Sequence, residues 1–164
     1  MPEEFELKQI GPEGVESAVR RAEHYRLLNQ PVQARSICLD VLAVDPGNQR
    51  ALVALLLAVT DDFKTGMASV NDAKEKADEL TNDYQRLYYH GIIAERQARA
   101  LLEKGQSAAF AYDGFRDAME WFEKATDIRP AGNDDAILRW NSCVRTIQEK
   151  NLRPREPDTE PVLE

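Results

Sequence analysis

The sequence predicts an all-α protein built from stacked helix hairpins. Two observations carry that prediction. Apolar residues recur at intervals of three and four from Val15 to Ile147, the period of one helix face. Two separate stretches also end alike. One reads Ala34, Cys38, Val41, then Asp45-Pro46-Gly47-Asn48; the other reads Ala118, Phe122, Ala125, then Arg129-Pro130-Ala131-Gly132-Asn133. In both, a small residue is followed by two apolar positions, a proline, and an asparagine able to cap the next helix. Repetition at fixed spacing is the signature of a helical repeat array.

Residues 1–12 are polar, carry Pro2 and Pro12, and are expected to form a flexible arm. From Val15 the pattern turns helical: Val15, Ala18, Val19, Ala22 and Tyr25 share a face. Asn29-Gln30-Pro31 breaks this helix. Pro31 suits the first position of the next, where a missing N–H costs little. Its inner face holds Val32, Ala34, Ile37, Cys38, Val41 and Leu42. Pro46-Gly47 ends it and Asn48 caps a third helix, about Gln49 to Asp61. Leu52, Val53, Leu55, Leu56, Leu57 and Val59 wrap that helix, so several neighbours must contact it.

Phe63 to Gly66 reads as a loop. A thinner helix follows, about Ala68 to Thr81, with Val70, Ala73, Ala77 and Leu80 opposite Lys74, Glu75, Lys76 and Glu79. Asn82 or Asp83 then caps a long helix, about Tyr84 to Lys104, along which Leu87, Gly91, Ala94, Ala98 and Leu101 recur. Gly105 ends it and Ser107 can cap its partner. That partner runs to about Ile128 through Phe110, Phe115, Ala118, Met119, Phe122 and Ala125, with Gly114 as a weak point. Asn133-Asp134-Asp135 opens the last helix, acidic residues suiting its positive end. It carries Ile137, Leu138, Trp140, Cys143, Val144 and Ile147. After Lys150 come Pro154, Pro157 and Pro161, and residues 151–164 are expected to be a disordered acidic tail.

The first hairpin, Val15 to Asn48, is 34 residues long. In that length and in Ala22, Tyr25, Ala34, Cys38, Val41 and Pro46 it resembles the tetratricopeptide repeat family. The third hairpin resembles it through Leu87, Gly91, Ala118, Phe122, Ala125 and Pro130, but is about 15 residues longer than the family unit. In the middle hairpin Leu52, Leu55, Leu56 and Val59 fit, while Ala73, Ala77 and Leu80 fit only after about five inserted residues, and no proline closes it. The resemblance implies a solenoid over 13–150: three hairpins, the third extended, and a capping helix, about seven helices in all. This scaffold serves many unrelated functions.

A curved stack of that kind implies a concave surface lined by the first helix of each hairpin. By register its residues are Val19 and Glu23, then Arg50, Val53 and Leu57, then Tyr88, Ile92 and Glu95, with Ile137 and Asn141 on the last helix. Glu16, Arg26, Thr60 and Gln85 fall on the same faces. An apolar centre with charged edges suits an amphipathic helix or apolar strand, and Tyr88 is the natural anchor. The competing reading is that the arm, the tail or adjacent helices cover these residues. Chaperone-binding members of the family hold a terminal carboxylate with Lys, Arg and Asn; here the matching places hold Val19, Glu23 and Ala54, which cannot do so.

The long third hairpin places Phe110, Tyr112 and Phe115 where it overhangs its neighbours. Exposed there, they would dock a second subunit, making a homodimer, or a partner. The alternative is that Phe110 and Phe115 pack on Leu101 and Leu102.

Charge narrows the partners. There are 29 acidic against 21 basic residues, net −8. Such a surface disfavours nucleic acid and anionic membranes. No run of about 18 apolar residues occurs, and Met1-Pro2-Glu3-Glu4 does not resemble a secretory leader; a cytoplasmic location is expected. Cys38 and Cys143 lie on apolar stripes and read as reduced core residues.

An enzyme is not expected. His24 and His90 stand apart, with no Ser, Cys or carboxylate placed to form a nucleophile arrangement. No His or Cys pair has metal-ligand spacing. Gly11 and Gly14 lack the Lys-Ser/Thr of a phosphate loop. Asp61-Asp62 and Asp134-Asp135 are explained by a helix end and a helix start. The sequence therefore points to a non-catalytic protein-binding adaptor without cofactor. A self-associating structural subunit and an accessory subunit of an enzyme complex stand as alternatives.

Overall fold

The computed structural model describes residues 4–63, 68–105 and 108–156. The start of the arm, the end of the loop expected at Phe63 to Gly66, the Ser107 cap and the tail beyond 156 lie outside the described residues. Within them the chain forms seven α-helices and no strand: α1 (Val15–Leu27), α2 (Pro31–Val44), α3 (Gln49–Asp61), α4 (Ala68–Asp78), α5 (Asp83–Glu103), α6 (Ala108–Asp127) and α7 (Asp135–Glu149). None of these helices is long and apolar enough to cross a membrane. The chain divides into two compact units, Met1–Tyr89 and His90–Glu164, the boundary falling inside α5.

In the first unit the helix ends are set by the residues that punctuate the sequence. Asn29 takes a left-handed conformation (φ 60°), and the Gln30 N–H reaches back to the Tyr25 carbonyl at 2.9 Å. This is the Schellman closure that satisfies the last carbonyls of α1. Pro31 then opens α2. Asn48 caps α3, its Oδ1 accepting from the Ala51 N–H at 2.9 Å. Gln49 Oε1 accepts from the Thr81 N–H at 2.9 Å, tying the start of α3 to the segment after α4. Asn82 caps α5 by accepting from the Gln85 N–H at 2.9 Å.

The core of this unit follows from α3. Ala51, Leu52, Ala54, Leu55, Leu56, Ala58 and Val59 are buried, because α1, α2 and α4 all pack against this helix. Each buried leucine contributes about 1.5–3 kcal/mol relative to exposure. Val19, Val41 and Ala51 form a core cluster, with Ile10, Val15, Ala18 and Leu42 packed on it. Alanines at the helix contacts (Ala22, Ala34, Ala51, Ala73 and Ala77) are wholly buried.

In the second unit α6 packs on α7, and α5 crosses α6 at glycines. A Cβ on Gly91 would lie 2.5 Å from Cε1 of Phe122, and a Cβ on Gly114 would lie 2.9 Å from that of Ala98. Gly114 is therefore a contact point, and the helix propensity given up there permits the close crossing. Gly105 (φ 68°) ends α5. Asn133 Oδ1 accepts from the Asp135 N–H at 3.0 Å at the start of α7. Beyond α7, Asn151 (φ 50°) reverses the chain, the Leu152 N–H closes on the Ile147 carbonyl at 2.9 Å, and the Leu152 side chain is buried. Arg155 then lies over the Phe110 ring, 4.5 Å from its centroid. The tail expected from 151 onward is thus packed at its first residues.

Gly91→Ala is expected to lower the urea midpoint. Overpacking costs about 1–3 kcal/mol, against a helix-propensity gain of about 1 kcal/mol, and the wholly buried Phe122 ring has nowhere to move. Gly47→Ala, with nothing within 4 Å of the new methyl, is the control. A midpoint for Gly91→Ala equal to or above wild type would contradict the crossing.

Candidate functional site: a groove on the first unit

Three helices of the first unit enclose a groove of about 410 Å³. Glu23, Arg26 and Leu27 come from α1; Gln49, Arg50, Val53, Ala54 and Leu57 from α3; Gln85 and Tyr89 from the start of α5. The spacings explain why these side chains meet. Arg50, Val53, Ala54 and Leu57 lie at intervals of three and four on α3, and Gln85 and Tyr89 are one turn apart on α5.

The floor is apolar and the rim is charged. Val53 and Leu57 are half-buried and Ala54 is buried, with Tyr89 beside them. On the rim Arg50 Nη2 donates to Glu23 Oε1 at 2.5 Å, joining α3 to α1. Arg26 Nε lies 2.8 Å from Asp61 Oδ2. The Nε itself makes no hydrogen bond; the guanidinium donates to this carboxylate through Nη2, at 3.5 Å from Oδ1. Both pairs are partly solvated, and pairs of this kind contribute about 0.2–1 kcal/mol. Their larger effect is to fix the rim, with positive and negative groups alternating around an apolar slot. Nothing among the described residues takes up the side-chain amide of Gln85, which leaves a donor and an acceptor facing the groove.

The structure divides the expected binding residues. Glu23, Arg50, Val53 and Leu57 are brought together here. Val19 is not available, because it belongs to the core cluster with Val41 and Ala51. Ile92 and Glu95 are each 1% exposed, so they too are interior residues. Tyr88 is half-buried and stacks on Tyr84 at 5.8 Å, with Tyr89 edge-on to it at 5.1 Å. Tyr89, the next residue, supplies the groove wall. Its signal was the spacing of four from Gln85. Gln49 and Leu27 also line the groove; Gln49 reads in sequence as helix start and Leu27 as helix end.

Ile137 and Asn141 are half-buried in the second unit. There Ile137 borders a pocket of about 260 Å³ with Glu123, Thr126, Asp127 and Trp140. His90 stacks on Trp121, ring centroids 4.7 Å apart.

Glu95 is instead the centre of an ionic cluster. Arg139 Nη1 donates to its Oε2 at 3.1 Å, the Cys143 thiol donates to its Oε1 at 3.4 Å, and Arg99 Nε stands 3.8 Å away. Arg99 also donates to Ser142 and Thr146 hydroxyls at 3.0 and 3.1 Å. The cluster ties α5 to α7 and satisfies a carboxylate that would otherwise be costly to bury.

The residues expected to self-associate differ among themselves. Phe115 is wholly buried, with the Arg99 guanidinium 5.3 Å above its ring, so its expected exposure is corrected: α5 covers it. Tyr112 is half-buried. Phe110 is 52% exposed and lies under Arg155.

A second pocket, about 440 Å³, lies across α2, α3 and α4 among Pro31, Val32, Arg35, Ala58, Val59, Asp62 and Asp72. It shares no residue with the groove. Among the described residues no group of three or more His, Cys, Asp or Glu side chains could hold a metal ion.

No protein-family model matches the chain, and neither a characterised protein nor a solved structure matches it.

Both cysteines are free and buried. Burial, then the negative charge of Glu23, pushes the Cys38 thiol from 9.0 up to about 12. Burial, then Glu95, does the same for Cys143. The folded state therefore holds two protons that the unfolded chain releases first. The associated stability is complete below pH 9.0 and is lost as pH rises towards about 12. At about pH 8, Ellman's reagent is expected to leave both thiols unmodified until guanidinium unfolds the chain. Prompt reaction of two thiols in the native protein would contradict this burial.

Proposed function

We propose that the chain is a tetratricopeptide-like helical repeat protein acting as a non-catalytic adaptor in the cytoplasm. It holds a short apolar segment of a partner protein in the groove of its first unit. One observation carries the reading: an open apolar slot formed by Val53, Ala54, Leu57 and Tyr89, edged by the Glu23–Arg50 and Arg26–Asp61 pairs. Such a slot rewards burial of apolar side chains, while its polar rim accommodates the backbone of an extended or helical peptide. The pairing of α1 with α2, and the packing of α1 on α3, support stacked helical hairpins as the scaffold. The balanced rim, in which each arginine already faces an acid, favours a ligand whose anchor is apolar rather than a terminal carboxylate.

Peptides selected on the immobilised protein from a random library test the reading. Leu57→Asp places a charge on the floor at a half-buried position. The expected outcome is at least about a tenfold rise in Kd by fluorescence polarisation, about 1.4 kcal/mol, with an unchanged circular dichroism spectrum. If the selected peptides bind this variant as tightly as wild type, the groove is not the binding site.

A further inference from the structure

The residues preceding α1 have the form of a ligand for this groove. Residues 4–11 carry no regular secondary structure. The segment is fastened at one end, where Ile10 packs on Val19, Val41 and Ala51 and the Gly14 N–H closes on the Gly11 carbonyl at 3.0 Å. Beyond Ile10 it projects two large apolar side chains into solvent: Phe5 is 87% exposed and Leu7 is 94% exposed. Two residues apart, Phe5 and Leu7 fall on one side of the segment when it is extended, with Glu4, Glu6 and Lys8 on the other.

The spacing matches the groove. Side chains at i and i+2 of an extended segment stand about 6.6 Å apart. Val53 and Leu57, one turn apart on α3, stand about 6 Å apart along the helix. Phe5 and Leu7 can therefore seat against Val53 and Leu57 in register, beside Tyr89. Charge agrees with this placement. Arg50 engages Glu23 through one terminal nitrogen and its side chain is 54% exposed, leaving N–H groups for Glu4 or Glu6 of the incoming segment.

Resting on the groove reading above, we propose that the occupant is the arm of a second copy of this chain. The arm of one protomer enters the groove of its partner, and the partner's arm returns the exchange. One chain carries both the segment and the slot, so two copies satisfy each other completely in a closed, isologous pair. An aromatic side chain buries roughly 150–250 Å²; two short arms therefore place this interface at the small end, below about 1,200 Å². The pair is a reversible dimer that forms with rising concentration.

Sedimentation velocity over a concentration series tests this on the full chain. Wild type is expected to rise from the 18.6 kDa monomer towards twice that mass. The double variant Phe5→Asp/Leu7→Asp and the single variant Leu57→Asp are each expected to remain monomeric. Mixed together they are expected to pair, since one intact arm then meets one intact groove. A labelled peptide of residues 4–11 is expected to bind the arm variant and not Leu57→Asp. Wild type that stays monomeric at every concentration overturns the exchange. Were arm substitution also to strengthen peptide binding to that monomer, the arm would occupy its own groove. A dimer that survives in both variants joins through another surface and likewise overturns the exchange. A monomer that still binds library-selected peptides leaves the adaptor reading standing; failure of both peptide classes removes the groove as well.

Discussion

Close approach of helix backbones at alanine and glycine is the constraint on which the rest of this structure depends. Ala22, Ala34 and Ala51 in the first unit, and Ala98, Gly91 and Gly114 in the second, stand where a larger side chain would push two helices apart. Interiors are packed too densely to absorb such a change locally. In the first unit the short distances let α3 touch α1, α2 and α4 at once. They also let Ala54 form a floor low enough for Val53, Leu57 and Tyr89 to stand around it. The groove is thus a by-product of small residues in the core. Enlarging one of those residues would alter its depth without touching a residue that lines it.

Charge has different work in the two units. In the first, the Glu23–Arg50 and Arg26–Asp61 pairs sit at a solvated rim, where Coulomb attraction is weak and salt screens it. They orient side chains more than they stabilise the fold. In the second unit Glu95 is interior, met by Arg139, Arg99 and the Cys143 thiol. Removing one partner of a buried ion leaves an uncompensated charge, so such clusters specify an arrangement even where an apolar core would be as stable. Here the arrangement specified is the placement of α7 against α5. Arg99 links it to α6 as well, through the Phe115 ring.

Much of this was legible in the sequence because helix punctuation is local chemistry. Pro31, Asn48, Asn82, Gly105 and Asn133 each start or stop a helix where their backbone preferences or side-chain acceptors require it. The encirclement of α3 by apolar residues likewise reported its central place in the first unit. Less legible were positions whose fate depends on a neighbour. A helix periodicity gives the face on which Glu95 or Ile92 lies, but not whether that face meets solvent or another helix. Glu95 read as a polar edge residue because Arg139 lies 44 positions away in sequence, while Arg99, one turn along, looks like an ordinary surface pair. Tyr88 and Tyr89 differ by one step of about 100° on the helix, and which of the two faces the groove depends on where α1 and α3 lie, which periodicity does not give. Phe115 read as an overhang because a longer hairpin suggests unsupported ends. The glycine at 114, read as a weak point, is what allows α5 to cover it.

The burial of α3 also has a bearing on how this protein fails. From Leu52 to Val59 the chain holds eight consecutive uncharged apolar residues and no proline. Folded, all of that run but Val53 and Leu57 is buried, with α1, α2 and α4 packed on the helix. Opened by heat or by loss of a neighbouring helix, it has the composition of an aggregation-prone stretch, with no gatekeeping charge inside it. The segment that holds the first unit together is thereby also the one most apt to associate with other chains once it is exposed.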